Sequence, residues 1–236
     1  MFTFLQSCIS KKDIVYFQDD ESKIENNKSK VPDLVFKPGD MLEIIITATN
    51  SKVVQQYNLK SSESASNTLS YIINNKGQIN FPILGEIQIG GLRKTEAVTL
   101  LKEQLSKSVI NPGIHIRILN FSITILGDVN SPGNYQVPNE RINIIEAIGL
   151  AGDLTFTGKR NRIVVKREES NGSKYYQLDI RSKNMHTSPA YYLQQNDVVY
   201  VEPNKAKSQA AATNPNTSLY FTIVSFVIAI GTLIAR

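Results

Sequence analysis

The C-terminal end of the chain carries an uncharged and mostly apolar run over residues 219–235. A helix rises about 1.5 Å per residue, so a helix of this run comes close to the ~30 Å hydrocarbon core of a bilayer. The run also lacks the regularly spaced charges of a helix on the surface of a soluble domain. We therefore predict a transmembrane helix over residues 218–236, which ties one end of the chain to a membrane.

One face of this predicted helix is small and hydroxyl-bearing. Positions three and four apart share a stripe at about 100° per residue. Here they hold Ser218, Thr222, Ser225, Ala229 and Thr232, with Arg236 after them. Two interpretations stay open. The stripe packs a single membrane anchor closely against other helices, or it faces the pore of a ring of such helices.

The N-terminal end also points to a membrane. Leu5-Gln6-Ser7-Cys8 has the form of a bacterial lipobox, and Cys8 is the only cysteine of the 236 residues, so it cannot form an internal disulfide. Residues 1–5 have no basic region and too short an apolar core for a working signal. We expect residues 1–8 to be a truncated lipoprotein signal, acylated at Cys8. Polar residues 9–32 are predicted to be a flexible tether. The alternative is an incidental cysteine in a disordered tail.

The net charge of +5 is concentrated in one window. Between residues 159 and 183 there are eight basic residues and three acidic residues. This window is predicted to be the solvated face of a strand pair around the apolar residues 163–165. The alternative is a surface that attracts an anionic polymer or a lipid headgroup. No aromatic-interleaved nucleic-acid motif is present, and no nucleic-acid partner is expected.

The first half of the middle region combines strands with one helix. A β-rich apolar run over 41–47 follows a turn composition at Lys37-Pro38-Gly39-Asp40. Lys76-Gly77 predicts a hairpin between the strands on either side of it. A helix is predicted from an N-cap at Thr95, and an alternating strand follows over 114–119. The apolar positions of the predicted helix recur at helical spacing: Val98, Leu101, Leu105 and Val109. The succession predicts a sheet covered by that helix.

The second half begins with another alternating strand, over 121–126. A short helix is predicted from Ile144 and is closed by Gly152, where a left-handed residue carries little strain. Asn171-Gly172 is a strong signal for a two-residue hairpin turn. A last short strand is predicted over 198–201.

Several motifs resemble, in order, those of the outer-membrane polysaccharide export family. The first module carries Phe36-Lys37-Pro38-Gly39-Asp40, Gly77-Gln78-Ile79, Pro82-Ile83-Leu84-Gly85, Gly91-Leu92, Thr95-Glu96-Ala97 and Pro112. The second resembles that family's soluble-ligand-binding β-grasp domain through Gly127-Asp128-Val129, Pro132-Gly133, Tyr135, Ala147 and Ala151-Gly152. One departure is Asp153, which stands where a second glycine is common.

The resemblance implies an α+β chain: a polysaccharide-export α+β domain, then a β-grasp domain, then one C-terminal transmembrane helix. The predicted domains are residues 33–120 and 121–203, followed by a linker at 204–217 and the helix at 218–236. The implied function is a subunit of an oligomeric outer-membrane channel that exports capsular or extracellular polysaccharide. The implied location is the outer membrane of a Gram-negative bacterium, with a lipid anchor and most of the chain in the periplasm.

The implied partners are the polysaccharide, membrane lipid, an inner-membrane export or co-polymerase protein, and a homo-oligomeric ring of about eight subunits. The alternative function is a non-conducting, envelope-anchored accessory module that binds a glycan or a partner protein. Catalysis is not expected. His115 and His186 lie in different modules without metal-ligand spacing, and no nucleotide or hydrolase motif appears. No cofactor is expected, and no residue set identifies a ligand of the second domain.

Overall fold

The computed structural model describes residues 11–18, 31, 33–58, 70–169, 171–212 and 217–234. In the first module, β1 (Met41–Thr47) is the central strand of a three-stranded antiparallel sheet, between β2 (Tyr71–Ile72) and β5 (Gly113–Ile118). Alternate residues of β1 point into the core, because successive side chains of a strand face opposite sides: Leu42, Ile44 and Ile46 are buried.

The hairpin predicted at Lys76-Gly77 is wrong in its pairing. A turn does form there, since the Asn74 side chain accepts hydrogen bonds from the backbone N–H groups of Lys76 and Gln78, both at 2.9 Å. However, β2 pairs with β1, and the hairpin is formed by β3 (Gln78–Phe81) and β4 (Gly85–Gln88). Backbone hydrogen bonds between Ile73 and residues 39–40 hold the chain before the turn against the central strand instead.

Helix α3 (Lys94–Leu105) covers this sheet, as predicted, although it begins one residue earlier than the expected N-cap. The Glu96 carboxylate accepts a hydrogen bond from the backbone N–H of Arg93 at 2.8 Å, which satisfies a donor that the first helical turn leaves free. Its buried residues are Ala97, Leu101 and Leu105. Two single-turn helices, α1 (Lys11–Ile14) and α2 (Ser51–Val54), complete the first part of the chain.

The second module is a five-stranded mixed sheet in the order β7-β6-β10-β8-β9. The strands are β6 (Ser122–Gly127), β7 (Gly133–Gln136), β8 (Gly158–Glu169), β9 (Gly172–Leu178) and β10 (Val198–Pro203). The predicted hairpin at Asn171-Gly172 is confirmed between β8 and β9. Helix α4 (Ile144–Leu150) has Asn143 as its N-cap and Glu146 as the reciprocal partner. A 3₁₀ helix follows at Lys183–Thr187.

The two modules share one continuous cluster of buried apolar side chains. Asn120, in the segment that joins β5 to β6, accepts a hydrogen bond from the backbone N–H of Met41 at 2.9 Å and donates one to the carbonyl of Gly39 at 3.0 Å. Gln195 bonds the same joining segment from the other side, through the carbonyl of Asn120 at 2.7 Å and the N–H of Ser122 at 2.8 Å.

The C-terminal region differs from its prediction in two ways. Most of the expected linker is helix α5 (Lys205–Ala212), because its alanine-rich composition favours a helix and Asn204 bonds the N–H of Lys207 at 3.0 Å. A helix does follow, α6 (Thr217–Ile234). Within the described residues, however, no helix combines the length and the apolarity that crossing a membrane requires. The structure thus does not show the transmembrane helix that is predicted over 218–236.

Candidate functional site

A cleft of about 70 Å³ lies at the junction between the two modules. Its walls come from the segment before β1, the end of β5, the loop before α4 and the loop before β10. The apolar part of the lining is Val31, Leu34, Val35, Ile118, Phe121 and Leu193, and the polar part is Asp33, Lys37, Glu140, Arg141, Tyr192, Gln194 and Gln195. These residues come from the stretches 31–37, 118–121, 140–141 and 192–195.

Short backbone contacts position each wall of the cleft. The segment before β1 is fixed at Phe36, whose N–H bonds the carbonyl of Leu92 at 3.0 Å, and at Leu34, whose carbonyl accepts from the N–H of Lys94 at 3.0 Å. The loop before α4 is bonded to the loop before β10, where the N–H of Leu193 donates to the carbonyl of Ile142 at 3.0 Å. These contacts make the cleft a preformed site.

Glu140 joins the two modules at the back of the cleft. Its backbone has a φ of 54°, in the left-handed region that non-glycine residues adopt uncommonly. Its carboxylate accepts hydrogen bonds from the backbone N–H of Ile118 and from the ammonium of Lys94, the latter at 2.6 Å. A carboxylate that is only 12% exposed requires such partners, because an unpaired buried charge is costly.

The charges of the cleft do not balance. Asp33 pairs with Arg93 at 3.4 Å and Glu140 pairs with Lys94, so both carboxylates of the lining are matched by cations from outside it. Within the part of the chain that the structure describes, the two lining cations have no carboxylate partner. The Arg141 guanidinium donates to the Tyr192 hydroxyl at 2.8 Å and lies 4.8 Å from the centre of that ring. The ammonium of Lys37 donates to the carbonyl of Glu168 at 3.4 Å.

The chemistry of the cleft is that of binding. It offers cations, a side-chain amide, a phenol hydroxyl and apolar walls, and no hydroxyl or thiol nucleophile next to a base. Among the described residues, no cluster of His, Cys, Asp and Glu side chains is arranged to hold a metal ion.

The basic window over 159–183 is only in part the solvated surface that its composition predicts. Arg160 and Arg167 are buried, at 5% and 4% exposure, and their guanidinium groups bond backbone carbonyls and carboxylates of the same module. Exposed members are ion-paired, for example Arg162 with Glu202 at 3.1 Å and Lys174 with Glu169 at 2.6 Å. The window therefore serves mainly to hold the second module together.

The prediction of a flexible tether over 9–32 is wrong for residues 11–18, which pack on the second module. The Tyr16 hydroxyl donates a hydrogen bond to the Asp153 carboxylate, and Arg160 lies 5.8 Å from the Tyr16 ring centre. Burial, followed by the bond to Asp153, raises the pKa of Tyr16. Asp153 has a φ of 73°, a left-handed conformation that glycine adopts with little strain. In this chain the aspartate at that position provides the carboxylate that binds the Tyr16 hydroxyl.

Asp128, within the Gly127-Asp128-Val129 motif, attaches helix α5 to the second module. Its side chain is 1% exposed and accepts hydrogen bonds from the hydroxyls of Thr155 at 2.7 Å and Thr157 at 2.6 Å, and from the ammonium of Lys207 on α5. Burial by itself raises the pKa of Asp128, but the bonds from Lys207 and the two threonines outweigh it, so the pKa lies below its usual range.

This contact predicts that the docking of α5 is sensitive to acid. A carboxylate with a lowered pKa stabilises the folded state above its unfolded-state pKa of ~3.9, and the contribution is lost as the pH falls through the lower folded value. The protection of the α5 amides against hydrogen exchange, taken relative to the intrinsic exchange rate at each pH, should therefore fall below about pH 4. Lys207→Ala should produce several-fold faster exchange already at pH 7, whereas Lys205→Ala, on the same helix, should leave exchange unchanged. Equal exchange in the two variants would contradict the contact.

The site residues expected from the sequence are placed as follows. Cys8 lies outside the described residues, and so do residues 19–30 of the predicted tether. The stripe residues are on α6, where the hydroxyls bond carbonyls of their own helix: Ser225 to Phe221 at 2.7 Å and Thr232 to Ala229 at 2.8 Å. The direction in which Ser218, Thr222, Ser225, Ala229 and Thr232 face in an assembly stays a prediction.

Sequence reasoning missed the cleft. Its polar residues come from three separate stretches of the chain, at 33–37, 140–141 and 192–195, so no local spacing connects them. Lys37 belongs to the motif that indicates the turn before β1, and Tyr191 and Tyr192 are adjacent in the loop before β10. In the structure the rings of Tyr191 and Tyr192 meet edge to face, with 5.0 Å between their centres, and Arg141 lies over the Tyr192 ring.

Comparison with known proteins assigns both modules. Residues 28–119 match the family described as polysaccharide biosynthesis/export protein, and residues 122–201 match the SLBB domain. The chain is 26% identical over 173 residues to the EPS I polysaccharide export outer membrane protein EpsA of Ralstonia solanacearum, which covers 70% of this chain and 45% of that protein. It is 25% identical over 132 residues to the protein of the same name from Ralstonia nicotianae, covering 54% and 35%.

The chain thus spans less than half of the length of these curated relatives. The two family matches follow one another in the order of the two modules and together take in the whole region from before β1 to within β10. The family is one of transport proteins rather than of enzymes. On this evidence the chain belongs to the polysaccharide biosynthesis/export family and carries an SLBB domain.

Proposed function

We propose that this protein is a subunit of an oligomeric outer-membrane assembly that exports capsular or extracellular polysaccharide from the periplasm to the cell surface. The observation that carries the proposal is the export domain followed directly by the SLBB domain, as both matches place them. Distant relatives named as outer membrane export proteins support the location.

Two further features support an assembly attached to the envelope. Every described side chain of α6 is exposed in the single chain, including Phe221, Phe226 and Leu233. Exposed apolar surface of this extent marks an interaction site, and in our proposal other copies in a ring of about eight cover it. Acylation of Cys8 adds a lipid attachment, and an inner-membrane export or co-polymerase protein delivers the polymer.

Deletion of the chromosomal copy in the native host tests the function. We expect surface polysaccharide to be lost while polymer accumulates in the periplasm, and wild-type protein supplied in trans to restore export. A Cys8→Ser copy should lose fatty-acid label and leave the outer-membrane fraction. Normal surface polysaccharide in the deletion strain would overturn the proposal, and normal amounts of polymer with altered chain length would identify the non-conducting accessory role.

A further inference from the structure

We propose that the cleft between the two modules binds an acidic sugar residue of the exported polymer, with its carboxylate held by Arg141 and Lys37. The inference rests on the proposed function for the polymer itself and adds the chemical class of sugar that this chain selects.

Charge is the first argument. Both carboxylates of the cleft are matched by Arg93 and Lys94, which lie outside the lining. Neither Arg141 nor Lys37 makes an ion pair with a carboxylate of the described residues, although Lys37 lies close enough to the carboxylates of Glu168 and Asp40 to act on them electrostatically. Two such cations at one concave site favour an anionic ligand, and a guanidinium suits a carboxylate because it can donate two parallel hydrogen bonds.

The remaining lining suits a sugar ring. The Gln194 side-chain amide makes no hydrogen bond within the described part of the chain, so its donor and acceptor are available to ring hydroxyls. The Tyr192 hydroxyl accepts from Arg141 and keeps its own hydrogen to donate. Val31 and Val35 are 46% and 42% exposed, and they offer apolar contact to the C–H face of a ring.

The site is also preorganised for binding. Arg141 is held against the Tyr192 ring at 4.8 Å, and its neighbour Glu140 is fixed by two hydrogen bonds across the module junction. A ligand therefore meets cations that are already ordered, and little conformational entropy is lost on binding.

The test uses the full-length purified protein and a matched pair of probes, tetragalacturonate and its methyl ester. The two share a sugar backbone, and only the first is charged. By titration calorimetry we expect the acid to bind at least tenfold more tightly than the ester, with an affinity that falls as salt is raised. Arg141→Gln and Lys37→Gln should each weaken binding of the acid about tenfold. Lys107→Gln removes an exposed charge that does not line the cleft and should bind as wild type.

Several results would overturn the inference. These are no binding of either probe, equal binding of acid and ester, or wild-type affinity in both cleft variants when their melting temperatures show intact folding. Tighter binding of a tetraglutamate peptide than of tetragalacturonate would identify a protein partner instead. Loss of export in the deletion strain without uronate binding would reject this site and leave the proposed function standing.

Discussion

Asp197→Ala is expected to lower the free energy of unfolding by about 3–5 kcal/mol. Asp197 and Arg167 form a two-pronged ion pair inside the second module, with N–O distances of 3.0 and 2.7 Å and side-chain exposures of 1% and 5%. Removing the carboxylate leaves a buried guanidinium without its counter-charge. It also removes the acceptor for the backbone N–H of Gln194, 2.8 Å away. Denaturant unfolding followed by circular dichroism measures the change.

Lys166, the residue next to Arg167 on β8, is the matched control. Lys166 points outward and pairs with Glu168 at 2.7 Å in water-exposed surroundings, so Lys166→Ala should leave the unfolding midpoint almost unchanged. The double variant Arg167→Met with Asp197→Leu should recover part of the lost stability, because it removes both charges together. If Asp197→Ala unfolds at the midpoint of Lys166→Ala, the buried pair has no structural role.

Gly127→Ala is expected to destabilise the protein by ~4 kcal/mol or more. Gly127 ends β6 with a φ of +93°, a conformation that an L side chain rarely adopts, and a Cβ there would lie 2.1 Å from the carbonyl oxygen of Val201 on β10. Relief of that clash would separate the only parallel strand pair of the described sheets. The expected result is a large drop in the melting temperature and in the denaturant midpoint.

Gly149→Ala provides the comparison within the same module. Gly149 lies in α4 with ordinary backbone geometry, and a Cβ there meets nothing within 4 Å. Alanine is the better helix former by ~0.5–1 kcal/mol, so this variant should be slightly more stable than wild type. A Gly127→Ala protein as stable as Gly149→Ala would show that β6 and β10 are not packed this closely.

Local patterns in the sequence determined most of the elements. Alternation in 121–126 identified β6, and Asn171-Gly172 identified the β8–β9 hairpin, because side-chain period and turn geometry act within a few residues. The same alternation carries a signal that was overlooked: Arg167 lies two positions after Val165 and four after Ile163, on the buried face of β8. The composition of the window does not distinguish the two faces of the strand, so it predicted that Arg167 is exposed to solvent.

Pairing over long distances was decided by the tertiary structure. The sequence indicated strands near 71 and 78 but not that β2 joins β1, nor that β10 lies parallel to β6, more than 70 residues earlier. Which strand becomes a neighbour depends on the apolar surface that all the elements bury together, and no short-range pattern contains that information.

The cleft and the contacts of helix α5 were also decided by the tertiary structure. Ordered motifs determined the family, because each motif is local and their succession is specific. Arg141 and Lys37 become the cations of the cleft without an ion-pair partner only when Glu140 pairs with Lys94 across the junction and Asp33 pairs with Arg93 within the first module. Likewise, Asp128 holds α5 only once β6 and β10 are paired and Lys207 reaches it. A charge is matched or unmatched by what surrounds it in space, and only the folded chain decides those surroundings.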